Sequence, residues 1–135
     1  MSQTGLEVGR LAPTLRALVC QDDAGMRRVV ATTLERAGFE VVAETDRGSE
    51  AVRLAGEVRP HVAVIHLALL GTLGLRLIAT LQAEAPGCLV IGMSPLDTLI
   101  AAALDAGAHA VVVESDMLGL AVELEAIARC RLSPA

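Results

Sequence analysis

Aromatic residues are almost missing from this chain: it has no tryptophan, no tyrosine and one phenylalanine, Phe39. Without such rings there is no platform on which bases could stack. Lysine is absent altogether. All eleven basic residues are arginine, spread along a chain of net charge −5, so no basic stripe exists to follow a phosphate backbone, and direct nucleic-acid binding is excluded. Cysteine is scarce. Cys20, Cys88 and Cys130 stand far apart with no CxxC pair, which rules out a disulfide framework and a zinc knuckle and leaves three buried free thiols as the expectation. Long apolar runs are also lacking. Hydrophobic residues make up 53% and mean hydropathy is +0.57, yet no run reaches membrane-spanning length and none stands at the start as a signal segment. The chain reads as cytoplasmic, with no membrane partner.

What is present is alternation. Residues 1–14 show no period and read as a flexible N-terminal arm; one domain fills 15–132, long enough to bury a core unaided. Leu15 to Cys20 is a short apolar strand. Met26, Val29, Val30, Thr33, Leu34 and Ala37 then recur at helical spacing, with Gly38 as the stop. Phe39 to Ala43 is a second strand, and Ser49 to Ala55 marks a second helix ending before Pro60. Val62 to Ile65, all apolar and mostly β-branched, reads as a strand buried on both faces, with His66 at its carboxyl end. A third helix runs from Leu73 to Glu84, a fourth strand from Cys88 to Met93, a fourth helix from Asp97 to Ala106, a fifth strand from Ala110 to Val113 and a last helix from Leu118 to Cys130. Five strands alternating with five helices call for a doubly wound α/β fold, with parallel pairing in its sheet, right-handed crossovers and helices on both faces.

In such a sheet ligands and chemistry gather at the carboxyl edge. The strand ends bring Gln21, Asp22, Asp23, His66, residues 92–94 and Glu114 to that edge. No glycine-rich phosphate cradle follows the first strand, since residues 20–25 (CQDDAG) put acids where bare amides are needed.

Several strings along residues 15–130 resemble the receiver domain of bacterial response regulators. Residues 19–23 (VCQDD) resemble the acidic turn after strand one, while 37–44 (AGFEVVAE) and 47–51 (RGSEA) resemble strand two and the helix after it. Residues 59–67 (RPHVAVIHL), with Gly71 and Gly74 behind them, resemble the phosphoacceptor strand and loop, and 105–110 (DAGAHA) the turn into strand five. The resemblance implies the flavodoxin-like (βα)5 form of the fold, with strand order 2-1-3-4-5. It implies a phosphoacceptor aspartate where His66 stands, paired magnesium-holding acids where Gln21 and Asp22 stand, and a lysine where Glu114 stands. It also implies a hydroxyl at the end of strand four, which counting back from Ala106 puts at Gly92 and counting forward from Pro86 puts at Ser94.

These departures describe a degenerate phosphorylation site. Aspartyl phosphate forms by carboxylate attack on phosphorus, helped by a hard cation with oxygen ligands and a positive side chain near the phosphoryl oxygens. His66 is not that carboxylate, Gln21 is uncharged, and Glu114 repels the incoming group. An acceptor role for Asp22 or Asp23 instead fails for want of the same cation. The replacements also invert the usual pair: a base on strand three now faces an acid on strand five, so His66 and Glu114 are expected to form a protonation-sensitive contact between two loops. Against it stands a plain hydrogen-bonded histidine at the core edge. Asp22, His66 and Glu114 are at most a weak metal set with no ligand spacing of their own, and no cofactor is expected. His61 and His109 read as surface residues.

Function is then expected in surfaces. Helix four is apolar around most of its girth, so Leu96, Leu99, Ile100 and Ala103, with Val111, Leu118 and Val122, form a candidate interface on helix four, strand five and helix five. The resemblance makes that face a dimer or output surface. Val111 occupies the place of the aromatic switch residue, and the apolar loop 67–73 is expected to plug the edge. The sum is a stand-alone atypical receiver, non-enzymatic, working through a homodimer or a signalling protein partner without phosphorylation. The alternative is a small-molecule, pH or metal sensor using the same edge.

Overall fold

The computed structural model describes residues 15–68, 73–95 and 97–132. Within them five strands, β1 (Leu15–Cys20), β2 (Phe39–Thr45), β3 (Val62–His66), β4 (Leu89–Ser94) and β5 (Ala110–Val113), form one sheet. Every pairing is parallel and the order is β2-β1-β3-β4-β5. The connecting helices are α1 (Ala24–Arg36), α2 (Gly48–Val58), α3 (Leu73–Glu84), α4 (Ile100–Ala106) and α5 (Met117–Leu132). No helix among the described residues is long and apolar enough to cross a membrane.

Period-two alternation divides the strands between two cores. Ala17, Val19, Val62, Val64, Ile91 and Met93 pack with Val30 and Leu34 of α1 and with Leu120, Leu124 and Ile127 of α5. Leu18, Cys20, Ala63, Ile65 and Val90 turn the other way, onto Ala51 and Ala55 of α2, Ile78 and Leu81 of α3 and Ala103 of α4. Burial on both faces explains why β3 is a continuous apolar run.

Local chemistry sets the ends. Asp23 caps α1, its Oδ1 accepting the Gly25 and Met26 amides at 2.8 and 3.1 Å, and Gly38 follows that helix at φ 96°, a backbone conformation glycine takes without strain. The Asp116 carboxylate accepts the Gly119 amide at 2.8 Å, which starts α5 at Met117, one residue before the expected Leu118. Strand four is displaced by one from the expected Cys88–Met93, because the Cys88 amide is still engaged in the turn to Ala85 O. The helix expected from Asp97 begins instead as a 3-10 turn, Asp97–Leu99, and α4 proper is only seven residues long. Its capping position, Leu99, offers no side-chain acceptor, so a tighter first turn takes up the amides.

His61 is a structural residue, not the surface one expected. Its Nδ1 accepts the Arg16 amide at 2.9 Å, its own amide donates to Arg16 O at 2.8 Å and its carbonyl accepts the Leu89 amide at 2.9 Å. The Arg16 guanidinium closes the junction by donating to Val58 O and Arg59 O. His109 is exposed, as read. Cys20 and Cys88 are buried, with burial pushing their thiols up to about 12 and about 11. Cys130 departs from the expectation and is exposed, because the last turns of α5 have no sheet beneath their outer side.

Candidate functional site at the carboxyl edge

His66 ends β3 with its side chain only 11% exposed, and its two ring nitrogens face different acids. Nε2 lies 2.8 Å from Glu114 Oε2. Nδ1 lies 3.4 Å from Asp22 Oδ1, and this buried nitrogen has no hydrogen-bond partner among the described residues. A side chain with one carboxylate off each nitrogen cannot turn a single lone pair and both acids onto one ion. Among the described residues no three histidine, cysteine or acidic side chains converge as a metal site.

Glu114 reaches His66 because its amide donates to Ser94 O at 2.7 Å, extending the β4–β5 ladder one step past β5. Ser94 is fully buried at the end of β4, which makes it, and not Gly92, the strand-four hydroxyl. Gly92 has a different part. Leu67, 1% exposed, lays its side chain where a residue-92 Cβ would otherwise stand, with its methyls about 3.1 Å from that point. The Leu67 amide donates to Met93 O at 2.7 Å. One apolar residue of the expected plug is therefore seated at the edge; positions 69–72 of that loop lie outside the described residues, as do Leu96 and the arm.

The acidic turn is split in its roles. Asp22 is half exposed and turned to His66. Asp23, expected at the site, is spent on capping α1. Gln21 is buried and works as a strut: its amide donates to Thr45 O, its side-chain oxygen accepts the Asp23 amide at 3.1 Å, and its carbonyl accepts Arg27 Nη1 at 2.8 Å. Sequence reasoning missed Arg27, whose place one turn into α1 was the available signal. Its guanidinium reaches this turn but is held by Gln21 O and, at 3.8 Å, by Glu44. Thr45 was missed too. It is buried, accepts the Arg47 amide and donates to Glu50, and that hydrogen bond holds the Glu50 carboxyl below its usual range.

The candidate interface is only partly a surface. Leu99, Ile100 and Val111 are half buried, but Ala103 is fully buried in the core and does not reach an outer face. Its neighbour Leu104 does, at 46% exposure. Leu118 and Val122 are exposed; Leu118, however, lines a groove with Thr33 and Arg36 of α1 and Ala37 just after it, away from α4. The seven-residue α4 turns Ala103 inward once per two turns, which the all-round apolar sequence could not reveal.

The model of the response regulator receiver domain matches residues 17–115. The chain is 29% identical over 102 residues to the chemotaxis protein CheY of Listeria monocytogenes, covering 74% of this chain and 86% of that one. It is 31% identical over 134 residues to the transcriptional regulatory protein PrrA of Mycobacterium tuberculosis, covering 96% of this chain but 56% of the relative. Its fold matches a chain in the crystal structure of a CheX–CheY–BeF3–Mg2+ complex from Borrelia burgdorferi with a TM-score of 0.77 and 16% identity, over 89% of this chain and 92% of that chain. By sheet order and by the matched residues alike, this chain belongs to the response regulator receiver domains of two-component signalling.

Proposed function

We propose that this receiver domain is atypical: it signals without aspartyl phosphorylation, as a non-enzymatic module that acts through protein contacts. The observation that carries this reading is the 2.8 Å contact between His66 and Glu114. At the seat of the nucleophile stands an imidazole already engaged by an acid. At the seat of the cation stands that acid, which repels a phosphoryl group.

The test is incubation with acetyl phosphate and Mg2+, read by intact mass. The expected outcome is no adduct on the wild type, while a variant carrying Gln21→Asp, His66→Asp and Glu114→Lys gains about 80 Da, the weight of one phosphoryl group. An adduct of that mass on the wild type overturns the proposal.

Output is proposed to run through the side of the domain formed by α4 and β5 with the outer surface of α5. Leu99, Ile100, Leu104, Val111 and Val122 supply its apolar part, and a twofold homodimer is the partner of choice because one self-complementary patch suffices. Sedimentation velocity should show dimer, and Leu104→Glu with Val122→Glu should return monomer. A wild type that stays monomeric at high concentration removes the dimer and leaves a different protein partner for the same face.

A further inference from the structure

Away from the carboxyl-edge site, α2 and α3 enclose a groove of about 350 Å³ whose floor is Val52 and Leu77 and whose sides carry Arg47, Arg76, Ser49 and Thr80. Arg47 stands at the N-cap of α2 and Arg76 lies on α3, and both line this groove. Among the described residues Arg76 makes no ion pair. Arg47 has one contact, with Asp46 at 3.8 Å, in which both side chains are well exposed, a pairing worth little in water. Glu50 is hydrogen-bonded by Thr45 and Arg53 and feels the Arg47 charge only as a lesser influence. Arg76, with no ion pair, and Arg47, whose contacts with acids are exposed and weak, thus share one apolar groove. Planar guanidinium forks match carboxylate geometry, and the volume is that of a small-ligand site with a few directing polar groups.

We infer that this groove binds a small amphipathic carboxylate, its acid head between Arg47 and Arg76 and its short apolar body on Val52 and Leu77. Such a ligand bridges the helix that follows the Thr45 turn and the helix that follows the His66 strand. It thus reaches both neighbours of the carboxyl edge without entering that edge, and the inference stands whether or not the domain is phosphorylated.

The experiment is a 15N-correlation NMR titration of the full chain with sodium octanoate, octanol and inorganic phosphate in parallel. Octanoate should give saturable shifts at Gly48, Ser49, Leu77 and Thr80. Octanol should bind at least about tenfold more weakly, the loss expected for a missing charge-assisted hydrogen bond, and phosphate should not saturate. Arg47→Gln and Arg76→Gln, both at exposed positions, should each weaken octanoate several-fold and together abolish saturation, with the melting temperature unchanged. No saturable shift with octanoate overturns the inference. So does octanol binding as well as octanoate, phosphate producing the same shifts at the same concentration, or undiminished octanoate binding by the doubly substituted chain.

Discussion

The two histidines that bracket β3 have opposite surroundings. At the amino edge His61 meets backbone: it takes the Arg16 amide on Nδ1, and burial first, then the Arg16 and Arg131 charges, lowers its pKa from the ordinary 6.5. At the carboxyl edge His66 meets carboxylates from two other strand ends. One ring is a fixed acceptor built into the sheet. The other stands at the carboxyl edge with its two nitrogens turned to different acids. The difference separates a histidine bonded into the backbone from one set among carboxylates, and residue type alone does not distinguish them.

The comparison breaks most readily at the apolar cover of the His66 edge. Leu67→Ala removes a fully buried side chain and should cost about 3 kcal/mol in urea unfolding. If the cost is within about 0.5 kcal/mol, the ordinary range for a surface change, Leu67 is not seated over Gly92. Gly74→Ala follows at about 2 kcal/mol, since its methyl would collide with the Leu67 backbone, which has little room to give. Thermal melting checks it, and an unchanged midpoint would mean that the start of α3 can move.

The third change addresses the amino edge. His61→Leu leaves the Arg16 amide without its acceptor and should cost about 1–2 kcal/mol at neutral pH. It should also flatten the acid limb of the stability curve. Because the folded value of His61 is lowered, the unfolded chain binds the proton first; this group's contribution is complete above pH 6.5 and is lost as pH falls through the depressed value. Unfolding measured between pH 7.5 and 5 should show that loss in the wild type and not in the variant, and equal slopes would dismiss the account. Smallest is Glu114→Gln, which keeps a hydrogen-bonding group near Nε2 and should change stability by less than about 0.5 kcal/mol at neutral pH. A loss several times larger would make the charge of Glu114 indispensable to the fold.

Much of the architecture was legible because period and punctuation agreed. β1 and α3 fall on the residues expected, and the strand order is the one the family resemblance implied. The meeting of His66 with Glu114 was also readable, since both follow apolar strands that end at one edge. What sequence could not separate was capping from site chemistry: Asp22 and Asp23 are chemically alike and adjacent, and only the start of α1 decides that Asp23 is used for the amides of Gly25 and Met26. Nor could it say which alanines of a uniformly apolar helix turn inward. That depended on α4 starting at Ile100 after a 3-10 turn, not at Asp97.

The Arg16–His61–Leu89 junction ties the entrances of β1, β3 and β4 into a single knot of main-chain and imidazole bonds. Those three central strands share this common anchor at their amino ends. Amide protons beside the knot should therefore exchange with solvent at the rate of global unfolding, while those at the opposite rim escape through smaller, local openings. The domain is in this sense built like a fan, its central ribs pinned together at the handle.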